Sequence, residues 1–260
     1  MKSISRSTLR SRWRYLTPVL MACATALSAP AAQADVIDFE QIVNWSSPAD
    51  NSIYVGGDTF ATNGFKAVVA DSSYVQSFPD YEPGLAGATI AAGDSGACVW
   101  LACPYPISQH YAGLNDGSLT LSREDDAAFR LSSLSFGGIA NENEEGSALP
   151  FGQLRITGTR ADGSVVATAA DFPELHWWAE WTLDPTFAAT AFVSITIDAC
   201  TYVGGGAVGR DCINGPDTLN ASQFALDDLH VSAVPEPGTV AMLVAGLLLV
   251  AARRHLGGKP

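Results

Sequence analysis

The amino-acid sequence predicts an all-β protein whose central part is a jelly-roll-like β-sandwich. Short runs of alternating apolar and polar residues recur, clusters of Gly, Asn, Asp and Pro separate them, and no sustained helical periodicity occurs between residues 35 and 233. The chain has 260 residues, 47% of them hydrophobic, which suits one globular domain with extra segments at its two ends.

Eight segments carry the strand pattern: VIDFE at 36–40, FKAVVA at 65–70, SLTLS at 118–122, FRLSSLSFGG at 129–138, QLRITGTR at 153–160, SVVATAA at 164–170, FVSITIDA at 192–199 and QFALDDLHVS at 223–232. Ala161-Asp162-Gly163 separates two of these segments and predicts a β-hairpin. The apolar residues change face partway along 129–138 and 223–232. Such a change of phase predicts a β-bulge in each of these two strands.

The N-terminus has the three parts of a secretory signal peptide. Residues 1–14 contain five cations and no acid, residues 15–28 are mostly apolar, and Ala32-Gln33-Ala34 ends the segment with small residues. The first helix of a globular fold is a poorer interpretation, because five cations and Pro18 would open it with no polar face behind them. We therefore expect signal peptidase to remove residues 1–34 and the rest of the chain to be exported.

The C-terminal segment 234–260 combines a rigid break, a short apolar helix and a basic end. Pro235-Glu236-Pro237 precedes TVAMLVAGLLLVAA at 239–252, and Arg253 and Arg254 follow it. The positive residues predict a transmembrane helix whose C-terminal end stays in the cytoplasm, which places the preceding domain outside. About 14 apolar residues span a bilayer only marginally, as a transient sorting signal would.

This order of motif, apolar helix and arginine pair resembles the PEP-CTERM sorting signal of bacterial exported proteins. The resemblance implies processing by an exosortase-type membrane enzyme and delivery to the cell envelope or the extracellular matrix. Gln223-Phe224-Ala225-Leu226-Asp227 also resembles the QFxxD motif that marks one group of PEP-CTERM proteins. That group implies no particular activity.

The charge of the exported part limits its partners. Of the 14 Lys and Arg residues five lie in the signal peptide and three in the tail, so residues 35–233 carry 6 against 26 Asp and Glu, a formal charge of −20. Nucleic acid and anionic membrane surfaces would be repelled by this charge, and divalent cations would be attracted.

Four cysteines remain after export, and an even number in an exported chain predicts two disulfides. We favour the pairs Cys98–Cys103 and Cys200–Cys212, because each closes a short loop. A zinc site is the alternative, but these spacings match no common zinc pattern and no histidine lies beside either pair.

Carboxylates near the two ends of the predicted domain form a candidate structural calcium site. Asp38 and Glu40 lie in the first predicted strand, and Asp227 and Asp228 lie in the last. If these strands pair, four carboxylates converge, and Ca²⁺ would relieve their repulsion. The alternative is that they point into solvent.

The segment His176-Trp177-Trp178-Ala179-Glu180-Trp181 is the candidate ligand site. Exposed tryptophans stack on sugar rings, so Trp177, Trp178 and Trp181 predict binding of exopolysaccharide. The alternative is that Trp177 and Trp181 close one end of the core.

Together these observations favour a non-enzymatic envelope or matrix protein that binds exopolysaccharide. No recognisable nucleophile motif surrounds His110, His176 or His230, and we assign no catalytic residue. A secreted glycan-active hydrolase or lyase is the alternative, since Asp and Glu are abundant. Ice adhesion would need a regular threonine array, and the sequence has no such repeat.

Overall fold

The computed structural model describes residues 34–46, 52–94, 101–105, 108–141, 151–202, 211–215, 218, 220–234 and 246. The chain divides into two compact units, one of Ala34–Val234 and one of Met1–Gln33 with Pro235–Pro260. The β-sandwich lies in the first unit.

Sixteen strands and two one-turn helices occur in the described residues of this unit. The strands are β1 Ala34–Ile37, β2 Ile42–Asn44, β3 Ile53–Val55, β4 Thr59–Thr62, β5 Phe65–Ala70, β6 Leu85–Ile90, β7 Leu101–Ala102, β8 His110–Gly113, β9 Ser118–Arg123, β10 Phe129–Asn141, β11 Gly152–Thr159, β12 Val165–Asp171, β13 Ala179–Thr182, β14 Ser194–Tyr202, β15 Cys212–Ile213 and β16 Gln223–Ala233. The helices are α1 Ser73–Gln76 and α2 Pro185–Ala188.

The strands form two antiparallel sheets. Sheet A has the order β13-β10-β16-β8-β6-β3, with β1 beside β16 and β7 beside β10. Sheet B has the order β12-β11-β14-β9-β5-β4-β2, with β15 beside β14. Each of the eight predicted strands overlaps an observed strand, and the domain is a β-sandwich as predicted.

Aromatic side chains from both sheets fill the space between them. Phe65 of sheet B meets Phe129 of sheet A edge to face, with ring centroids 5.0 Å apart. Tyr54 of sheet A stacks on Phe60 of sheet B at 4.8 Å. All four side chains are buried. Since a buried aromatic ring contributes more apolar area than any aliphatic side chain, these contacts dominate the attraction between the sheets.

Both predicted bulges are present, and they lie where β10 pairs with β16. Leu131 pairs with Val231 and Ser133 with His230, so β10 carries one extra residue between them. Ser135 then pairs with Asp227, so β16 carries the extra residue in the next step. Asp228 has a positive φ of 48° at this second bulge. The change of face seen in both sequences is therefore a change of register in the sheet.

The predicted hairpin joins β11 and β12. Gly163 donates its N–H to the carbonyl of Arg160 at 2.9 Å, and Arg160 donates to the carbonyl of Ser164 at 2.8 Å. The φ of Gly163 is 82°, which glycine adopts without a steric penalty. The Asp162 carboxylate accepts from the Ser164 amide at 2.9 Å. These local bonds set the register of the whole hairpin.

Candidate functional site

The predicted tryptophan segment reaches the outer face of sheet A, the face directed away from sheet B. There Trp177 is 61% exposed and Tyr105 is 62% exposed. Their rings are perpendicular, with centroids 6.4 Å apart, and the His176 ring stacks on Tyr105 at 5.6 Å. We call Tyr105, His176 and Trp177 the aromatic platform.

Hydrogen bonds join the two chain segments that carry the aromatic platform. The Tyr105 amide donates to the carbonyl of His176 at 3.2 Å, and Trp178 Nε1 donates to the carbonyl of Tyr105 at 3.0 Å. His176 Nδ1 lies 3.1 Å from the carbonyl of Cys103, which is itself disulfide-bonded. The exposed rings therefore belong to an ordered surface that loses little conformational freedom when a ligand binds.

A glycine in β10 lets these segments lie directly on the sheet. A Cβ atom at Gly137 would lie 2.3 Å from Pro104 Cγ and 2.9 Å from the backbone oxygen of Trp177. Both distances are shorter than a carbon atom allows, so any larger residue there would displace the aromatic platform from β10.

The other two tryptophans of the segment pack into two different apolar clusters. Trp178 is half-buried and covers a small apolar cluster on the outer face of sheet A that includes Cys103, Ala112 and Ala225. Trp181 packs against the main core instead, with its ring 5.7 Å from that of Phe136. The alternative that tryptophans close the core thus describes Trp181, whereas Trp177 lies outside the core.

Polar side chains continue the outer face of sheet A away from the aromatic platform. Ser135 of β10 lies between Asp227 of β16 and Glu180 of β13. Glu180 is exposed, whereas Asp227 is 4% exposed and accepts hydrogen bonds from the Ser108 hydroxyl and from the Asp228 amide. Burial raises the pKa of Asp227 to about 6, although the Ser108 hydrogen bond opposes that rise.

The pairing on which the calcium prediction depends is present, because β1 lies antiparallel to β16. However, β1 ends at Ile37, so Asp38 and Glu40 lie in the following turn and not in the first strand as predicted. Phe39 between them has a positive φ of 54°, which an extended strand does not permit.

Three of the four candidate calcium ligands, Asp38, Glu40 and Asp227, accept hydrogen bonds from the chain. Glu40 accepts from the Gln109 amide at 3.0 Å, and Asp38 accepts from the Glu40 amide at 3.2 Å. Asp38 and Asp228 both help to raise the pKa of Asp227 by charge repulsion. Across the residues described, no group of three or more His, Cys, Asp or Glu side chains is arranged to hold a metal ion. Calcium binding by Asp38, Glu40, Asp227 and Asp228 stays a prediction.

Asp227→Asn is expected to stabilise the protein above pH 6. The pKa of Asp227 is higher in the folded chain than its usual 3.8, so folding favours the protonated form and stability falls as pH rises from about 4 to about 6. Asparagine keeps the neutral state, so we expect a gain on the order of 2 kcal/mol at pH 8 that disappears below about pH 4. Urea unfolding of the full-length chain across this pH range measures the gain.

The exposed Glu180 on the same face gives the control, Glu180→Gln, which removes a surface carboxylate and should change the free energy of unfolding at pH 8 by no more than about 0.5 kcal/mol. Equal stability of Asp227→Asn and wild type at pH 8 would contradict the effect of burial on Asp227. The same samples test calcium, since a bound ion should raise the melting temperature of the wild type and not that of Asp227→Asn. A wild-type melting temperature that is the same in calcium and in chelator would refute the calcium site.

One of the two predicted disulfides is confirmed. Cys200 at the end of β14 is bonded to Cys212 of β15, with a Cα–Cα distance of 5.3 Å. Cys103 is also disulfide-bonded, but Cys98 lies outside the described residues, so the pair Cys98–Cys103 stays a prediction. A disulfide indicates an extracellular or periplasmic protein, because the cytoplasm keeps thiols reduced.

Replacing both Cys200 and Cys212 with alanine is expected to lower the free energy of unfolding by about 3 kcal/mol, because the short loop between them is no longer closed in the unfolded chain. Alanine keeps the buried Cys200 position apolar, so a lost crosslink is the main change. Urea unfolding of the full-length double variant measures the loss. An unfolding free energy equal to that of wild type would show that this disulfide does not stabilise the domain.

Outside the described residues lie all five residues of the predicted sorting motif: Pro235, Glu236, Pro237, Arg253 and Arg254. The predicted helix at 239–252 lies outside them too, apart from Gly246. In the part of the chain that is described, no helix has the length and apolar character needed to cross a membrane.

The sequence pattern does not reveal Tyr105 as a member of the aromatic platform. The only signal for it is its position two residues after Cys103, beside a loop that the predicted disulfide closes. That position does not indicate that Tyr105 meets a segment some 70 residues later in the chain.

No family model matches the sequence, and no curated protein matches it significantly. Among solved structures, the fold is similar to TmCBM61, determined in complex with β-1,4-galactotriose, at 10% identity and a TM-score of 0.34 over 65% of this chain and 88% of that chain. It is also similar to the M60 catalytic domain with the CBM51-1 and CBM51-2 domains of Clostridium perfringens ZmpB, at 7% identity and a TM-score of 0.30 over 77% of this chain and 19% of that chain. Both TM-scores are below 0.5, so neither likeness supports a function for this chain.

Proposed function

We propose that residues 35–233 form a non-enzymatic carbohydrate-binding domain of an exported envelope or matrix protein, and that the aromatic platform binds exopolysaccharide. The observation that carries the proposal is the pair of exposed rings, Tyr105 and Trp177, held by backbone hydrogen bonds on an ordered sheet. Singly exposed aromatic side chains are common on protein surfaces, but two fixed, solvent-facing rings side by side form a surface on which a ligand can stack.

The geometry of the pair suits a chain of sugar units. Aromatic faces carry negative charge and attract the weakly positive C–H groups on the flat face of a sugar ring. The two rings are at 88° to one another, so they present faces in two directions. Successive units of a twisted polysaccharide also present their faces in different directions, and each ring takes one of them.

The charge of the domain selects the polymer. Because residues 35–233 carry a formal charge of −20, an acidic polysaccharide would be repelled over the whole surface. The exposed carboxyl of Glu180 on the same face adds to that repulsion and can accept hydrogen bonds from sugar hydroxyls. The proposed ligand is therefore an uncharged polysaccharide.

Export and sorting belong to the same proposal. Signal peptidase removes residues 1–34, the helix at 239–252 anchors the chain, and an exosortase-type enzyme processes it near Pro235-Glu236-Pro237. The sandwich, which we propose to be a jelly roll, is then released to the envelope or matrix. The test is mass spectrometry of the product from the native host. Replacing all three motif residues with alanine should leave the tail attached, and normal processing of that variant would contradict the sorting proposal.

The enzyme alternative makes a different prediction. Asp227 has a raised pKa of about 6, but it is covered by Ser108 and is 4% exposed, so it does not reach a substrate. This argues against Asp227 as a general acid. If the domain were a hydrolase or lyase, polysaccharide incubated with the full-length chain would gain new chain ends, and Glu180→Gln would stop that gain.

Affinity electrophoresis of the full-length chain tests the binding proposal. Gels that contain galactan, mannan, β-glucan or alginate provide three uncharged polymers and one acidic polymer. We expect at least one uncharged polymer to retard the protein and alginate to leave its mobility unchanged. Equal mobility in all four gels, or retardation by alginate alone, would contradict the proposal.

A further inference from the structure

The outer face of sheet B, on the other side of the sandwich from the aromatic platform, carries a cleft of about 350 Å³. Strands β9, β11 and β14 contribute Ser118, Arg155 and Asp198 to it. The end of β5 with helix α1 lines one side, and Asn214 after β15 lines another. We call this the polar cleft.

An ion pair lies in the polar cleft. Arg155 Nε donates to Asp198 Oδ1 at 2.8 Å and Arg155 Nη2 donates to Asp198 Oδ2 at 3.0 Å. The two residues pair directly across β11 and β14. Their side chains are 35% and 32% exposed, so a guanidinium and a carboxylate are fixed in a known orientation and still reach solvent.

The walls of the polar cleft are held by two buried carboxylates. Asp71 accepts from the Gly84 amide at 3.1 Å and from the Tyr81 hydroxyl. Asp116 accepts from the Asn220 amide at 2.6 Å and from the Ser222 amide at 2.8 Å. These four bonds tie the loops around the cleft to the sandwich, so the cleft exists before any ligand arrives.

The charges of the cleft and the hydrogen bonds of its carboxylates disfavour two classes of ligand. Asp71, Asp116 and Asp198 carry a formal −3 against +1 on Arg155, which disfavours anions. A bare cation is disfavoured because each carboxylate is already engaged, Asp198 by Arg155 and Asp71 and Asp116 by two hydrogen bonds each. The described residues include no group of side chains arranged for a metal ion. An uncharged ligand with several hydroxyl groups fits both signs of charge, because each hydroxyl can accept from Arg155 and donate to Asp198.

The volume and the lining of the polar cleft narrow the class of ligand further. A volume of about 350 Å³ is at the small end of ligand sites, which run from about 300 Å³ to about 1,000 Å³. None of the described residues that line the cleft is aromatic, so it offers no ring on which the face of a sugar could stack. The lining instead suits the hydroxyl edge of a single unit.

We propose that the polar cleft binds one uncharged hexose-sized polyol, such as a terminal or branching sugar, through hydroxyl contacts to Arg155 and Asp198. This site acts independently of the aromatic platform. The cleft recognises the hydroxyl pattern of one unit, whereas the platform recognises ring faces along a chain.

Ligand-observed NMR on the full-length chain tests the site with D-glucose, D-galactose and D-mannose at millimolar concentration, and with D-gluconate as the charged counterpart. Arg155→Lys keeps the charge but removes the planar pair of donors, and we expect it to weaken hexose binding by about tenfold or more. Ser73→Tyr places a bulky side chain on an exposed position of α1 beside the cleft and should have the same effect without touching the ion pair.

The matched control is Arg123→Lys, because Arg123 forms the same two-bond pair with Asp125 outside the cleft. The proposal expects Arg123→Lys and Trp177→Ala to keep wild-type hexose binding, and Arg155→Lys and Ser73→Tyr to weaken it by about tenfold or more. It is overturned if no hexose binds, if gluconate binds as well as glucose, or if either cleft variant keeps wild-type affinity. Loss of hexose binding in Trp177→Ala alone would also overturn the proposal for the polar cleft. Loss of polymer binding in Trp177→Ala concerns only the aromatic platform.

Discussion

Trp177→Ala is expected to weaken binding of an uncharged polysaccharide by about tenfold or more. Trp177 is the largest exposed ring of the aromatic platform, and its removal leaves the polymer with Tyr105 as the remaining exposed aromatic ring there. Truncating a central aromatic residue in a binding surface commonly costs about 2 kcal/mol, which corresponds to a factor near 30 in affinity. Calorimetric titration with oligosaccharides of the polymer that retards the wild type measures the change.

Two further variants separate binding from folding. Trp45 is 49% exposed and lies just after β2 in sheet B. Trp45→Ala therefore removes another solvent-exposed tryptophan, outside the aromatic platform, and should keep wild-type affinity. Gly137→Ala keeps every aromatic ring but places a Cβ against Pro104 and the Trp177 backbone, and it should weaken binding by displacing the rings. If Trp177→Ala binds like the wild type while Trp45→Ala does not, the site is on the other sheet.

Phe129→Ala is expected to lower the free energy of unfolding by about 3 to 5 kcal/mol. The ring is fully buried between the sheets against Phe65, so its loss leaves a cavity that the two sheets cannot close. The Phe129 backbone also exchanges hydrogen bonds with Phe192 at 2.9 and 2.8 Å, which prevents that stretch of chain from moving into the space.

Urea unfolding of the full-length chain measures this loss, and Phe78→Ala is its control. Phe78 is exposed and contacts Tyr74 at 5.1 Å, so its removal should change stability by only about 0.5 kcal/mol. A cost below about 1 kcal/mol for Phe129→Ala would contradict the assignment of Phe129 to the centre of the core.

The strands that could be predicted are those with one face in the core and one in solvent. β11 alternates buried and half-buried residues along its whole length, and its sequence shows that alternation. β8 is buried on both faces, because Trp178 packs over its outer side at Ala112. Its sequence, HYAG, therefore has no alternation to detect. The one-turn helices α1 and α2 are too short for any helical period.

The candidate site could be predicted only where it is local in sequence. The tryptophan segment is visible in the sequence because its three rings are close together in the chain. Which of the three rings is buried and which is exposed depends on contacts with β10, which lies more than 30 residues earlier. Tyr105 joins the platform through contacts about 70 residues away, and the Arg155–Asp198 pair spans 43 residues. The Arg155–Asp198 pair is set by strand register, which single-sequence patterns do not specify between distant strands.

The most direct test of the central claim, that the aromatic platform binds polysaccharide, is to follow the tryptophan indole N–H signals of the full-length chain by NMR during titration with oligosaccharides. Substitution of each tryptophan by phenylalanine assigns the signals. We expect the Trp177 signal to shift with saturation, a smaller shift for Trp178, whose indole is already bonded to the Tyr105 carbonyl, and no shift for Trp45. A Trp177 signal that stays in place while the oligosaccharide binds would contradict the claim.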